Sequence, residues 1–153
     1  MNPDGPYLSV VAICDAVLYE KDERISCIRF IDTLNVTINS EDENTNAQLR
    51  LNSLIAFKSG PFVGSKICGI EIVGPSGKKA KPIEGKPKEF PMEFKGGEHG
   101  QNLIVTITFP ASKSGLYWFN VLLDGEVYTR IPLRINITRE APQTPQQSES
   151  LQP

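Results

Sequence analysis

The segment from Gly115 to Ile137, GLYWFNVLLDGEVYTRIPLRINI, constrains the fold more than any other part of the chain. Tyr117, Phe119, Val121 and Leu123 occupy alternate positions before Asp124-Gly125. Val127, Ile131, Leu133, Ile135 and Ile137 fall at odd positions after it. Apolar spacing of period two on both sides of a Gly turn marks an antiparallel hairpin with one buried face. A strictly two-residue loop at Asp124-Gly125 would set Phe119 beside Arg130 and Val121 beside Tyr128, splitting the apolar sets across the sheet. A one-residue change of register repairs this, because it flips a whole strand's side chains. The sequence therefore predicts a three-residue loop, Leu123-Asp124-Gly125, with Gly125 in the left-handed position of a bulge. In that register Val121 meets Val127, Phe119 meets Thr129 and Tyr117 meets Ile131.

The same register places Leu116, Trp118 and Leu122 on the opposite face, with Tyr128, Arg130, Pro132 and Arg134. Trp118 across from Arg130 allows a cation–π contact, worth about 0.5–1 kcal/mol at an exposed site. Either this face is covered by a loop or by the C-terminal segment, or it is an exposed aromatic patch suited to a protein partner. Under the second reading Trp118, Leu122, Tyr128, Arg130 and Arg134 are the candidate partner-binding residues.

The rest of the chain reads as further strands. Residues 7–18, YLSVVAICDAVL, form a continuous apolar run suited to a strand buried on both faces. Residues 24–38 read as one long strand, with a bulge near Cys27-Ile28 and a bend at Asp32. A strand from Leu51 to Phe57 is broken by Gly60-Pro61, and another runs from Lys66 to Val73 into the Gly74-Pro75-Ser76-Gly77 turn. After a Lys- and Pro-rich loop over 78–88, Phe90, Met92 and Phe94 alternate in a short strand that Pro91 assigns to a sheet edge. Gly96 to Gly100 reads as a flexible turn, and Leu103, Val105, Ile107 and Phe109 alternate in the next strand. About eight short strands separated by Gly/Pro turns predict an all-β, two-sheet antiparallel β-sandwich of immunoglobulin-like type. Its domain spans residues 1–139, and the polar segment 140–153 is expected to be a disordered tail.

Composition limits the function classes. The 153 residues carry a net charge of −2, which gives no electrostatic reason to expect nucleic acid, since phosphate binding needs concentrated positive charge. No apolar run is long enough to span a bilayer, and the N-terminus lacks the basic region of a secretory signal. A cytoplasmic protein with no membrane association is expected. Cys14, Cys27 and Cys68 fit that compartment as free, buried thiols, being odd in number and without C-x-x-C spacing.

Chemistry-bearing motifs are sparse. His99 is the single histidine and sits in a Gly-rich turn, so no zinc or iron set is available. Glu41, Asp42 and Glu43 are adjacent but lack the spacing of a calcium loop, which needs six to eight converging oxygens. GPSGKK and GGEHG open no helix and are turns, not phosphate loops. Lys78, Lys79, Lys81, Lys86 and Lys88 form the one basic cluster, offset by Glu84 and Glu89, and read as a solubilising loop. The sequons Asn35-Val36-Thr37 and Asn136-Ile137-Thr138 lie in strands and are read as chance. No cofactor, metal or catalytic residue is expected.

The ICDAVLYEKDERISCIRFID hairpin, the GIEIVGPSGK turn and the terminal G-x-Y-x-F-x-V-x-x-DGE…PLRINI hairpin together resemble a bacterial family of uncharacterised short cytosolic proteins, over roughly Tyr7 to Ile137. The chain departs from that pattern where Gly74-Pro75-Ser76-Gly77 replaces an Asp-rich mid-chain turn. The resemblance implies a β-sandwich and brings no catalytic residue with it. A looser likeness to immunoglobulin-like and fibronectin-like modules rests on the terminal hairpin. The sequence thus predicts a non-enzymatic protein-interaction module that binds through a sheet edge or the Trp118 face. The alternative is a small-ligand or carbohydrate-binding β-module.

Overall fold

The computed structural model describes residues 3–81 and 88–142. Seven strands follow one another: β1 (Tyr7–Tyr19), β2 (Ile25–Phe30), β3 (Thr33–Ile38), β4 (Ala47–Val73), β5 (Lys88–Ala111), β6 (Gly115–Leu123) and β7 (Glu126–Arg139). They form one sheet of order β2-β1-β4-β6-β7-β3, with β5 paired to β4. All pairs are antiparallel except β3 with β7, which run parallel, so the sheet is mixed.

The expected sandwich of two antiparallel sheets is therefore corrected to a single mixed sheet that does not close. The reason lies in β4 and β5. Gly60-Pro61 and Gly96-Gly97 do not end strands; they bend them. Gly60 faces Gly97 across the ladder, with irregular register on either side, and both adopt left-handed φ values, 57° and 66°. Glycine reaches that region without the Cβ penalty of other residues. Hydrogen bonding therefore continues through the bend, and two expected strand pairs merge into two long strands. The first half of β4 pairs with β1 and the second half of β5. The second half of β4 pairs with β6 and the first half of β5.

The expected strand over 24–38 is instead divided. Arg29 has φ of 52°, the Ile31 N–H donates to the Ile13 carbonyl at 2.9 Å, and the Arg134 N–H donates to the Asp32 carbonyl at 3.0 Å. Between Ile31 and Asp32 the chain steps from the flank of β1 to the flank of β7. Two mergers and one division turn the eight expected strands into seven.

Folding the sheet at the glycine pair gathers one core from both halves. Leu49, Leu51, Ile55 and Phe57 contribute before the bend. Cys68, Ile70 and Ile72 contribute after it, with the inward parity switched. Phe57 meets Tyr128 edge-on with ring centroids 6.0 Å apart, and Phe109 meets Tyr117 at 6.2 Å, closing the halves on each other. Among the described residues no buried side-chain nitrogen or oxygen lacks a hydrogen-bond partner. None of their helices is long and apolar enough to cross a membrane.

Candidate functional site

The β6–β7 hairpin turns in two residues, not three. Leu123 pairs with Glu126, and Asp124 and Gly125 both take positive φ, 48° and 81°, as the two-residue turn favoured by Asp-Gly requires. The extra residue needed to restore parity lies farther along β7: Leu122 pairs with Val127 and Val121 with Thr129, leaving Tyr128 as the bulge. Phe119 then meets Ile131 and Tyr117 meets Leu133. The turn is held against β4 by Asp124, whose N–H donates to the Ile67 carbonyl at 2.8 Å. Its carboxylate accepts the Ile67 N–H at 2.8 Å and pairs with Lys66 at 3.1 Å. The Ile67 amide and the Lys66 ammonium hold the Asp124 carboxyl below its ordinary pKa.

This bulge decides which candidate residues share a face. Tyr128 turns toward the core, its ring against Phe57 and its hydroxyl donating to the Pro6 carbonyl at 3.2 Å. It does not join Trp118. Trp118 pairs with Pro132 on one side and Val73 on the other, and Leu122 with Val127 and Gly69. Arg130 pairs with Asn120, and its guanidinium lies 4.5 Å from the centroid of the Trp118 ring. Arg130 Nε also donates to the side-chain oxygen of buried Asn120 at 3.3 Å. Arg134 pairs with Leu116 and with Thr33.

The electrostatics of this face are one-sided. Glu71, which pairs with Asn120 across β4 and β6, is neutralised by Lys79 at 2.7 Å. Arg130 and Arg134 have no carboxylate partner among the described residues. They stand four residues apart on β7, about 13 Å at strand spacing. The face therefore combines a half-buried indole, an arginine stacked on it, a second arginine and Leu122.

Other sequence candidates are dispersed. His99 is exposed within β5, where a flexible turn was expected. Burial raises the thiols of Cys14 and Cys68 to about 11; for Cys14 the adjacent Cys27 thiol adds to the effect. All three cysteines are free, although Cys27 is half-buried, not buried. A thiol with so high a pKa is almost entirely protonated at neutral pH and is a poor nucleophile. No group of three His, Cys, Asp or Glu able to hold a metal occurs among the described residues. Of the basic loop, Lys86 lies outside the described residues, as does tail segment 143–153. The sequon asparagines Asn35 and Asn136 are direct partners in the β3–β7 ladder, joined side chain to side chain at 3.1 Å. Small shallow cavities occur among the described residues. One of about 80 Å³ lies beside Gly69, Glu71 and Leu122, and one of about 160 Å³ beside Gly5, Lys66 and Asp124.

No family model matches the chain, and no curated protein matches it. Among solved structures, the chain is similar to alkylpurine DNA glycosylase AlkC of Pseudomonas fluorescens, bound to DNA containing an abasic site analog. The likeness has 12% identity and a TM-score of 0.41, covering 82% of this chain and 30% of that one. The chain spans less than a third of that protein, and a likeness this distant transfers neither activity nor ligand.

Proposed function

We propose that this chain is a non-enzymatic protein-interaction module. It binds a carboxylate-bearing segment of a protein partner through the outer face of β6 and β7. The observation that carries this reading is the stack of Arg130 on Trp118, fixed from below by Asn120, with no carboxylate supplied by the described residues. Tryptophan and arginine dominate the energetics of protein interfaces because each buries a large rigid surface and retains a polar handle. Leu122 and Arg134 extend the patch along the two strands. Tyr128 is not part of it. The net charge of −2 gives no support to nucleic acid as the partner. The small cavity beside Gly69, Glu71 and Leu122, about 80 Å³, is below the roughly 300–1,000 Å³ of ordinary small-ligand sites, which favours the face around Leu122 over that cavity as the binding surface.

The test compares the wild type with Trp118→Ala and Arg130→Glu in affinity capture from the cells that express the protein. Both variants should lose the same bound protein. They should keep the wild-type circular dichroism spectrum, with melting temperatures lowered by somewhat more than the cation–π contact's about 0.5–1 kcal/mol implies, because Trp118 is half-buried and Arg130 also bonds buried Asn120. Trp118 fluorescence should be quenched by acrylamide in the isolated protein. An indole inaccessible to quencher, or capture unchanged in both variants, would end the reading.

A further inference from the structure

Among the described residues, the second half of β5, from Gly100 to Ala111, is paired with β4 alone, which leaves its other flank open to them. The direction of each backbone group on that strand follows from two fixed points. Because the Ile13 carbonyl accepts from Ile31 of the neighbouring segment, Ile13 turns away from β4, and its partner Ser53 turns toward Val105 of β5. In an antiparallel ladder, successive residues direct their N–H and C=O to opposite flanks. Asn102, Ile104, Thr106 and Thr108 therefore present theirs to the open side. Pro110 falls on the same parity, where its missing N–H costs nothing. Below the bend, the Ile67 carbonyl accepts the Asp124 N–H, which turns Ile67 toward β6 and its partner Pro91 to the open flank.

Natural sheet edges are usually blunted by charge, proline or a bulge. The first half of β5 has such protection in Glu89, Pro91, Glu93 and Lys95. From Gly100 to Ser112 no residue is charged. Ile104 is 37% exposed and lies beside Leu54 and Ala12 across the ladder, both of which are buried.

The geometry points to a two-fold dimer in which this segment of β5 pairs antiparallel with the same segment of a second copy of this chain. An axis through Val105 sets Ile104 against Thr106 of the other copy and Asn102 against Thr108. That closes about eight backbone hydrogen bonds. It also sets Pro110, which cannot donate, against Gly100, which has no side chain. No like charges meet across the pair, so self-pairing carries none of the repulsion that charged edges impose. An uncharged edge gives a charged foreign strand no electrostatic recognition. A second copy meets this edge without like-charge repulsion, and the Val105 axis places the one residue that cannot donate opposite a glycine.

Light scattering on the full chain across a hundredfold concentration range reads the mass directly. The wild type should rise from 16.9 kDa toward twice that value. Ile104→Pro removes an N–H that the chain's own sheet does not use, and Ile104→Lys adds a charge at the centre of the pair. Each should weaken association at least tenfold with an unchanged circular dichroism spectrum. If the proline variant fails to fold, the lysine variant decides. Amide exchange at Ile104, Thr106 and Thr108 should slow as concentration rises, while Val105 and Ile107 stay protected throughout. A mass of 16.9 kDa at every concentration, or a dimer indifferent to the substitutions that fold, overturns the proposal. Trp118→Ala should leave the dimer intact, since its surface lies on the other half of the sheet. Failure here therefore leaves the Trp118 reading standing.

Discussion

Removing Arg139 should weaken the fold more than any other surface arginine. It ends β7, and its guanidinium donates to four backbone carbonyls. Nη1 reaches Asp42 at 2.6 Å and Thr45 at 3.0 Å, and Nη2 reaches Glu43 at 3.2 Å and Ser112 at 2.8 Å. One side chain thus ties the acidic loop between β3 and β4 to the connection between β5 and β6. The bonds to Thr45 and Ser112 are partly buried, and those to Asp42 and Glu43 are exposed. A hydrogen bond to a charged group contributes about 1.5–3 kcal/mol when well buried, and exposed charge contacts contribute about 0–1 kcal/mol. Taking about 1 kcal/mol for each partly buried bond and a few tenths for each exposed one gives about 2–3 kcal/mol. Arg139→Ala should therefore lower the melting temperature by about 5–10 °C, at about 2–4 °C per kcal/mol for a chain of this size. Arg139→Lys keeps the charge but loses the planar fork, and should fall between. Calorimetry at neutral pH measures both. A melting temperature for Arg139→Ala within about 2 °C of wild type would refute the reasoning, because it would mean that water replaces all four bonds without cost.

Three further outcomes follow from particular residues. Gly60→Ala forces a side chain into left-handed backbone and into the Tyr7 ring, whereas Gly77→Ala meets the backbone penalty with open space around it. Urea unfolding should show a loss of about 1–2 kcal/mol for Gly77→Ala and a clearly larger one for Gly60→Ala; equal losses would remove Tyr7 from the account. Because the Asp124 pKa is depressed in the fold, its contribution is present above the unfolded value of about 3.9 and is lost as pH falls through the folded value. Asp124→Asn should therefore flatten the acid limb of stability below about pH 4, and an unchanged acid limb would count against the Ile67 and Lys66 contacts. Cys14 and Cys68, raised to about 11, stabilise the fold below the unfolded thiol value of about 8.5 and lose that contribution as pH rises toward about 11. In the native protein at pH 8 they should alkylate at least a hundredfold more slowly than in urea, and fast native labelling of Cys68 by mass spectrometry would contradict its burial.

The terminal hairpin shows how far periodicity can be read. Its odd-numbered apolar residues require one residue out of step between the strands, and that parity argument holds in the structure. The place of the extra residue does not follow from it. Periodicity suits a bulge in the turn, at Gly125, whereas the chain keeps the two-residue turn that Asp-Gly favours and bulges at Tyr128. A bulge has no compositional mark, and a tyrosine suits either face, so the misplacement carried Tyr128 into the wrong group. Gly60-Pro61 and Gly96-Gly97 pose the complementary problem. Each carries the residues of a strand break, yet the two sites lie opposite each other about the turn near Gly77, as a bend shared by paired strands requires. That symmetric spacing was the available signal, and it separates one folded sheet from two stacked ones.

The two proposed surfaces depend on the same two details. The contact of Trp118 with Arg130 is legible because both lie on one face of a short hairpin, but the expected direct pairing does not form: Trp118 faces Pro132 and Arg130 faces Asn120, so the two meet on the diagonal. The role of Arg139 was not legible, since its carbonyl partners lie 94 to 97 residues away in the β3–β4 loop and 27 away at Ser112, and a backbone acceptor leaves no trace in sequence. The open flank of β5 was invisible for a topological reason. Pro91 suggested an edge, but only continuity of β5 through Gly97 extends that edge to the uncharged stretch around Val105. Had Gly96-Gly97 ended the strand, the second half could have joined another sheet and been covered. Because the glycine pair bends the ribbon without breaking it, β5 has β4 as its strand neighbour on both sides of the bend among the described residues. The device that folds the sheet over its core is the one that leaves the Gly100–Ala111 flank without a strand partner among the described residues.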